Sequence, residues 1–196
     1  ATFDLFLKTE AGLCRNTIVR YMKCFKRITN MALAKEWMRK DPFYGYKMAQ
    51  DETDPVFLTY PELKSIMEKE FTIPRLALVR DIFVFAAFTG LAFANVSTLT
   101  KDNLVQDNNG DWWIRKGRVK LERRHRASSV CNIPLLPVPL AILKKYEEHP
   151  ICRKKSLCLP VICNQRMNSY LKEIADLCNI RKNLTTHTAK HSKIYI

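Results

Sequence analysis

From Ile82 to Ala94 thirteen consecutive residues carry no charge, and Arg80-Asp81 stands immediately before them. A helix needs about 20 apolar residues to span a bilayer, so this run is too short to cross one. It predicts instead the buried central helix of a folded domain, begun at Pro74. Gly90 is the expected stop, because without a Cβ it accepts the left-handed turn that closes a helix. A short second turn is expected over Leu91 to Val96. Ala92 then falls just past a helix end, facing outward from a rigid core, where a site residue belongs.

The rest of the chain must surround that helix. Its 196 residues suit one domain, or a small helical module joined to a larger one, and 47% hydrophobic content supports a real core. The charge balance is uneven: 33 Lys and Arg against 19 Asp and Glu give +14. Such an excess favours polyanionic partners, whether nucleic acid, an anionic membrane surface or heparin-like polymers. The N-terminal residues alternate apolar groups with Asp4, Lys8 and Glu10, unlike a secretory signal, so a cytoplasmic protein is expected. Seven cysteines at irregular spacing argue against a disulfide framework. His149, Cys152, Cys158 and Cys163 cluster in sequence but lack the paired short gaps of a structural zinc site, so reduced thiols are expected and no metal.

In chain order, a short amphipathic helix ends at Gly12 and a longer one is expected from Arg15 to about Met38. Ile18, Met22, Phe25, Thr29 and Ala32 form its apolar face. Asn16, Arg20, Lys23, Arg27 and Asn30 form the other, which carries no acid before Glu36. A solvated face usually mixes signs, so a face of one sign points to phosphate contact. Asp41-Pro42 ends this unit. Thr59-Tyr60-Pro61-Glu62 reads as a capping box that opens the next helix. From Asn103 the pattern turns to strands, with a turn at Asp107 to Asp111 and a return strand at Val130 to Leu135. Between Arg115 and Arg126 lie seven Lys or Arg and one acid, Glu122, a density suited to tracking a phosphate backbone. A helix is expected from Pro137 to about Glu148, and another capped by Asn164 and running to Cys178. The fold class is therefore mainly α with one small antiparallel β-sheet.

Several of these pieces resemble a known family. Thr89-Gly90-Leu91 with its short following turn is similar to the Thr-Gly-Leu-Arg box of tyrosine recombinases, the phage-type integrases. Lys120 in a basic hairpin, the Asn132-Ile133-Pro134-Leu135 strand and His187-Thr188-Ala189-Lys190-His191 follow in the family's order. The wording is most similar to integrases of Bacteroides-type mobile elements, over Thr2 to His191. The resemblance implies a helical core-binding (SAM-like) module over 1–50 without its first helix, a linker over 51–57 and a catalytic domain over 58–196, truncated at the C-terminus.

Family members attack a DNA phosphate with a tyrosine and conserve the bond as a phosphotyrosine, without metal or cofactor. Two arginines grip the phosphate oxygens and a hairpin lysine supplies a proton. By resemblance the catalytic positions here are Lys120, His187 and Lys190. The first arginine falls on Ala92, the acid after it on Asn95, and the second arginine on Lys190. Family sequences continue past the position of His191 to a nucleophilic tyrosine, and Tyr195, five positions after Lys190, does not match its placing. Arg75 and Arg80 flank the central helix, and either could replace the charge missing at Ala92. Arg20, Lys23, Arg27, Arg118, Lys120 and Arg123 are expected to contact phosphates.

The implied function is a site-specific recombinase that binds duplex DNA, alongside other protomers on that DNA, and does not cut it in this form. A non-catalytic DNA-binding protein on an integrase scaffold, serving as regulator or competitor, is the second reading. RNA and membrane surfaces fit less well. There is no aromatic stacking platform of the usual RNA-binding kind, and the basic residues are spread over a folded domain rather than along one apolar-faced helix.

Overall fold

A computed structural model describes residues 2–117 and 130–192. The chain divides into two compact units, Ala1–Asp54 and Pro55–Ile196.

In the first unit, α1 (Thr2–Thr9) and α2 (Arg15–Ala34) pack together over Leu7, Ile18, Met22 and Phe43. α2 ends four residues earlier than its periodicity suggested. Glu36 takes a left-handed φ of 59°, and the amides of Glu36 and Trp37 turn back to the carbonyls of Leu33 and Ala32. That closure satisfies the last carbonyls of the helix and stops it before Met38. Ile18, Met22 and Thr29 are buried as expected, together with Val19. Phe25 is 40% exposed and sits at the margin, edge-on to Phe3 and Phe43.

The residues after Phe43 lie back along α2. Arg15 Nε donates to Ala49 O at 3.2 Å, and Asn16 and Asp51 exchange side-chain and backbone hydrogen bonds at 3.0 and 2.9 Å. Lys23 Nζ donates to Gln50 Oε1 at 3.0 Å. Asn16 therefore serves this docking and is corrected from the open basic face to a structural role.

The second unit is built around α4 (Pro74–Thr89), which has Pro74 in its first turn and Gly90 as a left-handed cap at φ 65°. Charge-free over most of its length, α4 is buried on nearly all sides. Around it pack α3 (Tyr60–Glu68), α6 (Pro137–Tyr146), α8 (Asn164–Leu177) and α9 (Thr186–His191). The Glu62 carboxylate accepts from Thr59 N at 2.7 Å and from Thr59 Oγ1 at 2.9 Å, holding the start of α3. Lys182 also reaches that carboxylate, at 2.7 Å.

α4 buries one charge, Asp81, which is 5% exposed. Its carboxylate accepts from Arg80 Nε at 2.6 Å, Lys145 Nζ at 2.7 Å and Tyr146 Oη at 2.8 Å. The last two belong to the end of α6, so the network ties α6 to α4.

After α4 come the short α5 (Phe93–Val96), a 3-10 turn (Lys101–Asn103) and a three-stranded antiparallel sheet. β1 (Leu104–Gln106) pairs with β2 (Trp112–Gly117), which pairs with β3 (Val130–Pro134). Asp107 organises the first turn, accepting from the amides of Asn109 and Asp111 at 2.9 Å and from Trp113 Nε1 at 3.0 Å. The Trp113 bond, followed by those amides, holds the Asp107 carboxyl below its usual range. Mainly helical with one small antiparallel sheet, the fold matches the class read from the sequence.

Two local readings are corrected. Arg153 to Lys155 lie in a helix, α7 (Pro150–Lys155), where the sequence reading placed none. His149 Nδ1 accepts the amide of Ile151 at its start. Asn164 is not the cap of α8. Cys163 occupies that position, and Asn164 is the first helical residue.

The cysteines differ enough in setting to be told apart chemically. Cys152 and Cys158 are buried, and burial pushes the Cys158 thiol up to about 11. Cys14 is exposed at the start of α2, and its hydrogen bonding with Thr17 lowers its thiol. Since the thiolate is the nucleophile, iodoacetamide at neutral pH is expected to label Cys14 first and to leave Cys152 and Cys158 unlabelled in the folded protein. Mass spectrometry of timed digests would check the order.

Candidate functional site

The site begins with how α9 is held. Thr185 caps it by accepting from Thr188 N at 3.3 Å, and two asparagines of α8 grip the next residue. Asn168 Oδ1 accepts the Thr186 amide at 2.9 Å, and Asn164 Oδ1 accepts the Thr186 hydroxyl at 2.8 Å. The two asparagines are four apart, one turn of α8, so both reach the same end of α9. At the other end Ser192 Oγ donates to Thr188 O at 2.8 Å and accepts from Leu58 N at 2.7 Å. Thr188 and Ala189 are buried.

With one face fixed, the remaining α9 side chains point outward. His187, Lys190 and His191 are all exposed. The two histidines lie one turn apart, their Nε2 atoms at 2.9 Å and their rings edge-on with centroids at 4.4 Å. One Nε2–H must donate and the other nitrogen accept, so a single proton occupies the space between the rings. Asn164 and Asn168 were missed as positioning residues. Their signal was the polar pair at one-turn spacing on a helix otherwise read only for its cap.

Asn168→Ala is expected to free the Thr186 amide and loosen the start of α9, at a cost of about 1–2 kcal/mol. Hydrogen exchange at Thr186 and His187 would report it, with α3 amides unchanged.

Ala92 stands at the N-cap of α5, half-buried, its carbonyl accepting from the amides of Asn95 and Val96 at 2.8 and 3.1 Å. Its methyl group brings neither charge nor a cap. The two arginines that could have replaced that charge are committed elsewhere. Arg80 donates to Asp81 and to the carbonyls of Met67 and Lys69, at 3.1 and 2.9 Å for the latter two. Arg75 Nη2 bonds both oxygens of Glu173, at 3.0 and 3.2 Å, and its guanidinium lies 5.1 Å from the Tyr170 ring centre. Both hold the fold together.

Arg118, Lys120 and Arg123 lie outside the described residues. On β2, Lys116 Nζ donates to Thr98 O and to Asn103 Oδ1, anchoring the strand to the segment after α5. On α2, Arg20, Lys23 and Arg27 are exposed, at spacings that place them on one face. Most other cations with a partner have an acid: Arg15 with Asp4, Lys64 with Glu68, Lys101 with Glu147 and Lys182 with Glu62. Among the described residues Arg20, Lys23 and Arg27 have none. The described residues hold no cluster of three or more His, Cys, Asp or Glu fit for a metal. Nor do they include a helix long and apolar enough to cross a membrane.

Residues 1–48 match the phage integrase SAM-like domain. Comparison by sequence with curated proteins finds no match. Among solved structures, the Tn1549 transposon integrase in complex with circular intermediate DNA is similar over 97% of this chain and 68% of that one, at 18% identity and a TM-score of 0.70. A lambda integrase dimer bound to a COC' core site covers 91% of this chain and 62% of that one, at 12% identity and 0.67. The XerH site-specific recombinase bound to difH substrate covers 70%, at 19% identity and 0.53, and this chain spans 41% of XerH. The chain thus has the fold of the tyrosine recombinases, and its first 48 residues carry the phage integrase SAM-like domain.

Proposed function

We propose that this chain is part of a site-specific DNA recombinase of the integrase type and that it grips duplex DNA through its phosphates. The observation that carries this reading is the α2 face. Arg20, Lys23 and Arg27 stand exposed on one side of the helix, none of them with an acid partner among the described residues, whereas Arg15, Lys101 and Lys182 each pair with one. A fixed row of unneutralised cations suits a polyanion of regular spacing. In this reading residues 1–50 are the core-binding module, 51–57 the linker and 58–196 a portion of the catalytic domain. Arg118, Lys120 and Arg123 add further phosphate contacts, and other protomers share the DNA. Fluorescence anisotropy tests the reading. Labelled duplex DNA should bind more tightly than duplex RNA of the same sequence or vesicles rich in anionic lipid, and equal or reversed preference would sink it.

Catalysis is a separate matter. His187 and Lys190 face outward where the resemblance puts a phosphate, yet Ala92 has no charge and Lys190 has no bidentate fork. With Arg75 and Arg80 both committed, the second reading, a DNA-binding protein without cleavage, gains specific support. Loss of one such electrostatic contact typically costs about 10²–10³ in rate. The chain is therefore expected to form no covalent adduct on a nicked duplex, and Ala92→Arg alone should not restore one. A covalent band on a denaturing gel, lost in Tyr195→Phe, would contradict this.

A further inference from the structure

His187 and His191 suggest a property that the DNA reading does not need. Their Nε2 atoms are 2.9 Å apart on the exposed side of α9, held there by a helix whose other side is fixed through Asn164, Asn168 and Ser192. Imidazole nitrogens bind divalent transition metals at about 2.0–2.1 Å, so two of them 2.9 Å apart subtend about 90° at a shared ion. That is the angle between neighbouring ligands in a square-planar or octahedral site, and it is well below the tetrahedral angle preferred by structural zinc. Two histidines four apart on a helix are also a spacing that metal-binding motifs use.

We propose that His187 and His191 form a two-nitrogen chelate for a divalent ion of square-planar or octahedral preference, Cu²⁺ or Ni²⁺, with water completing the coordination. The ion replaces the proton the two rings share, and a small rotation of each ring turns both lone pairs toward it. The rigid backbone of α9 holds the two rings together before the metal arrives, which lowers the ordering cost of binding. Lys190, on the same exposed side, opposes the ion and keeps the affinity modest. Once seated, the metal would occupy the His187 ring nitrogen that a phosphate would otherwise meet.

The test uses Ni²⁺ and the whole chain without DNA, so its outcome is independent of the recombinase reading. Exposed thiols at Cys14, Cys24 and Cys163 are first alkylated to remove competing ligands. Calorimetric titration should show one Ni²⁺ per chain, weakened at least tenfold in His187→Gln and likewise in His191→Gln, and tightened in Lys190→Gln. Both histidines are exposed, and melting curves without metal confirm that the variants remain folded. Unchanged Ni²⁺ affinity in both histidine variants would overturn the proposal, as would absence of binding in the parent chain.

Discussion

Raising the salt from 50 to 200 mM is expected to weaken binding of this chain to duplex DNA by roughly a thousandfold, because every neutralised phosphate releases condensed counterions. Six contacts, from Arg20, Lys23 and Arg27 on α2 and from Arg118, Lys120 and Arg123 further on, give a slope of about −5 in log affinity against log salt. The α2 residues enter this sum at full charge. Lys23 does donate to Gln50, but an amide oxygen leaves its charge uncompensated. Contacts of this kind position a protein without reading bases. The same steep slope is therefore expected on unrelated duplexes. Anisotropy titrations at four salt concentrations would measure it, and a slope near zero would assign the charge to some other purpose.

Asp81→Ala is expected to destabilise the second unit by about 3 kcal/mol, lowering its melting temperature by about 10 °C. The carboxylate is buried and accepts from three donors, so its removal leaves the Tyr146 hydroxyl and part of the Arg80 guanidinium without their partner. Lys145 is half exposed and recovers water, which places the cost toward the lower end for a broken buried pair. The same network should appear at high pH. Burial, then Asp81, raises the Tyr146 phenol well above its ordinary value. Its contribution to stability is complete below the unfolded-state value of about 10 and is lost as the pH rises beyond it. Tyr146→Phe should flatten that alkaline decline. A change under 1 kcal/mol in Asp81→Ala would show that α6 is held by its apolar contacts alone.

Much of the second unit was legible because its local signals agree with one another. The uncharged run, Pro74 and Gly90 are enough by themselves to bound α4. The Asp107 to Asp111 turn and the Thr59–Glu62 box mark the sheet and α3 by chemistry confined to a few residues. What failed depended on distant partners. Asp81 looked like a flank of the buried run, since Lys145 and Tyr146 meet it only in the fold. Asn164 carried the composition of a cap but works one position later, on the start of α9. α7 is six residues long and mostly basic, too short for periodicity to show. Within the site, the charge missing at Ala92 was visible in the sequence. The fate of Arg75 was not, because Glu173 lies far along the chain.

The claim that α2 grips the DNA backbone is tested most directly by comparing salt slopes of the parent chain and a Lys23→Gln/Arg27→Gln variant. Two fewer phosphate contacts should make the slope shallower by about 1.8 and weaken binding by a similar factor on every duplex tried. An unchanged slope, or a loss confined to one sequence, would contradict the account.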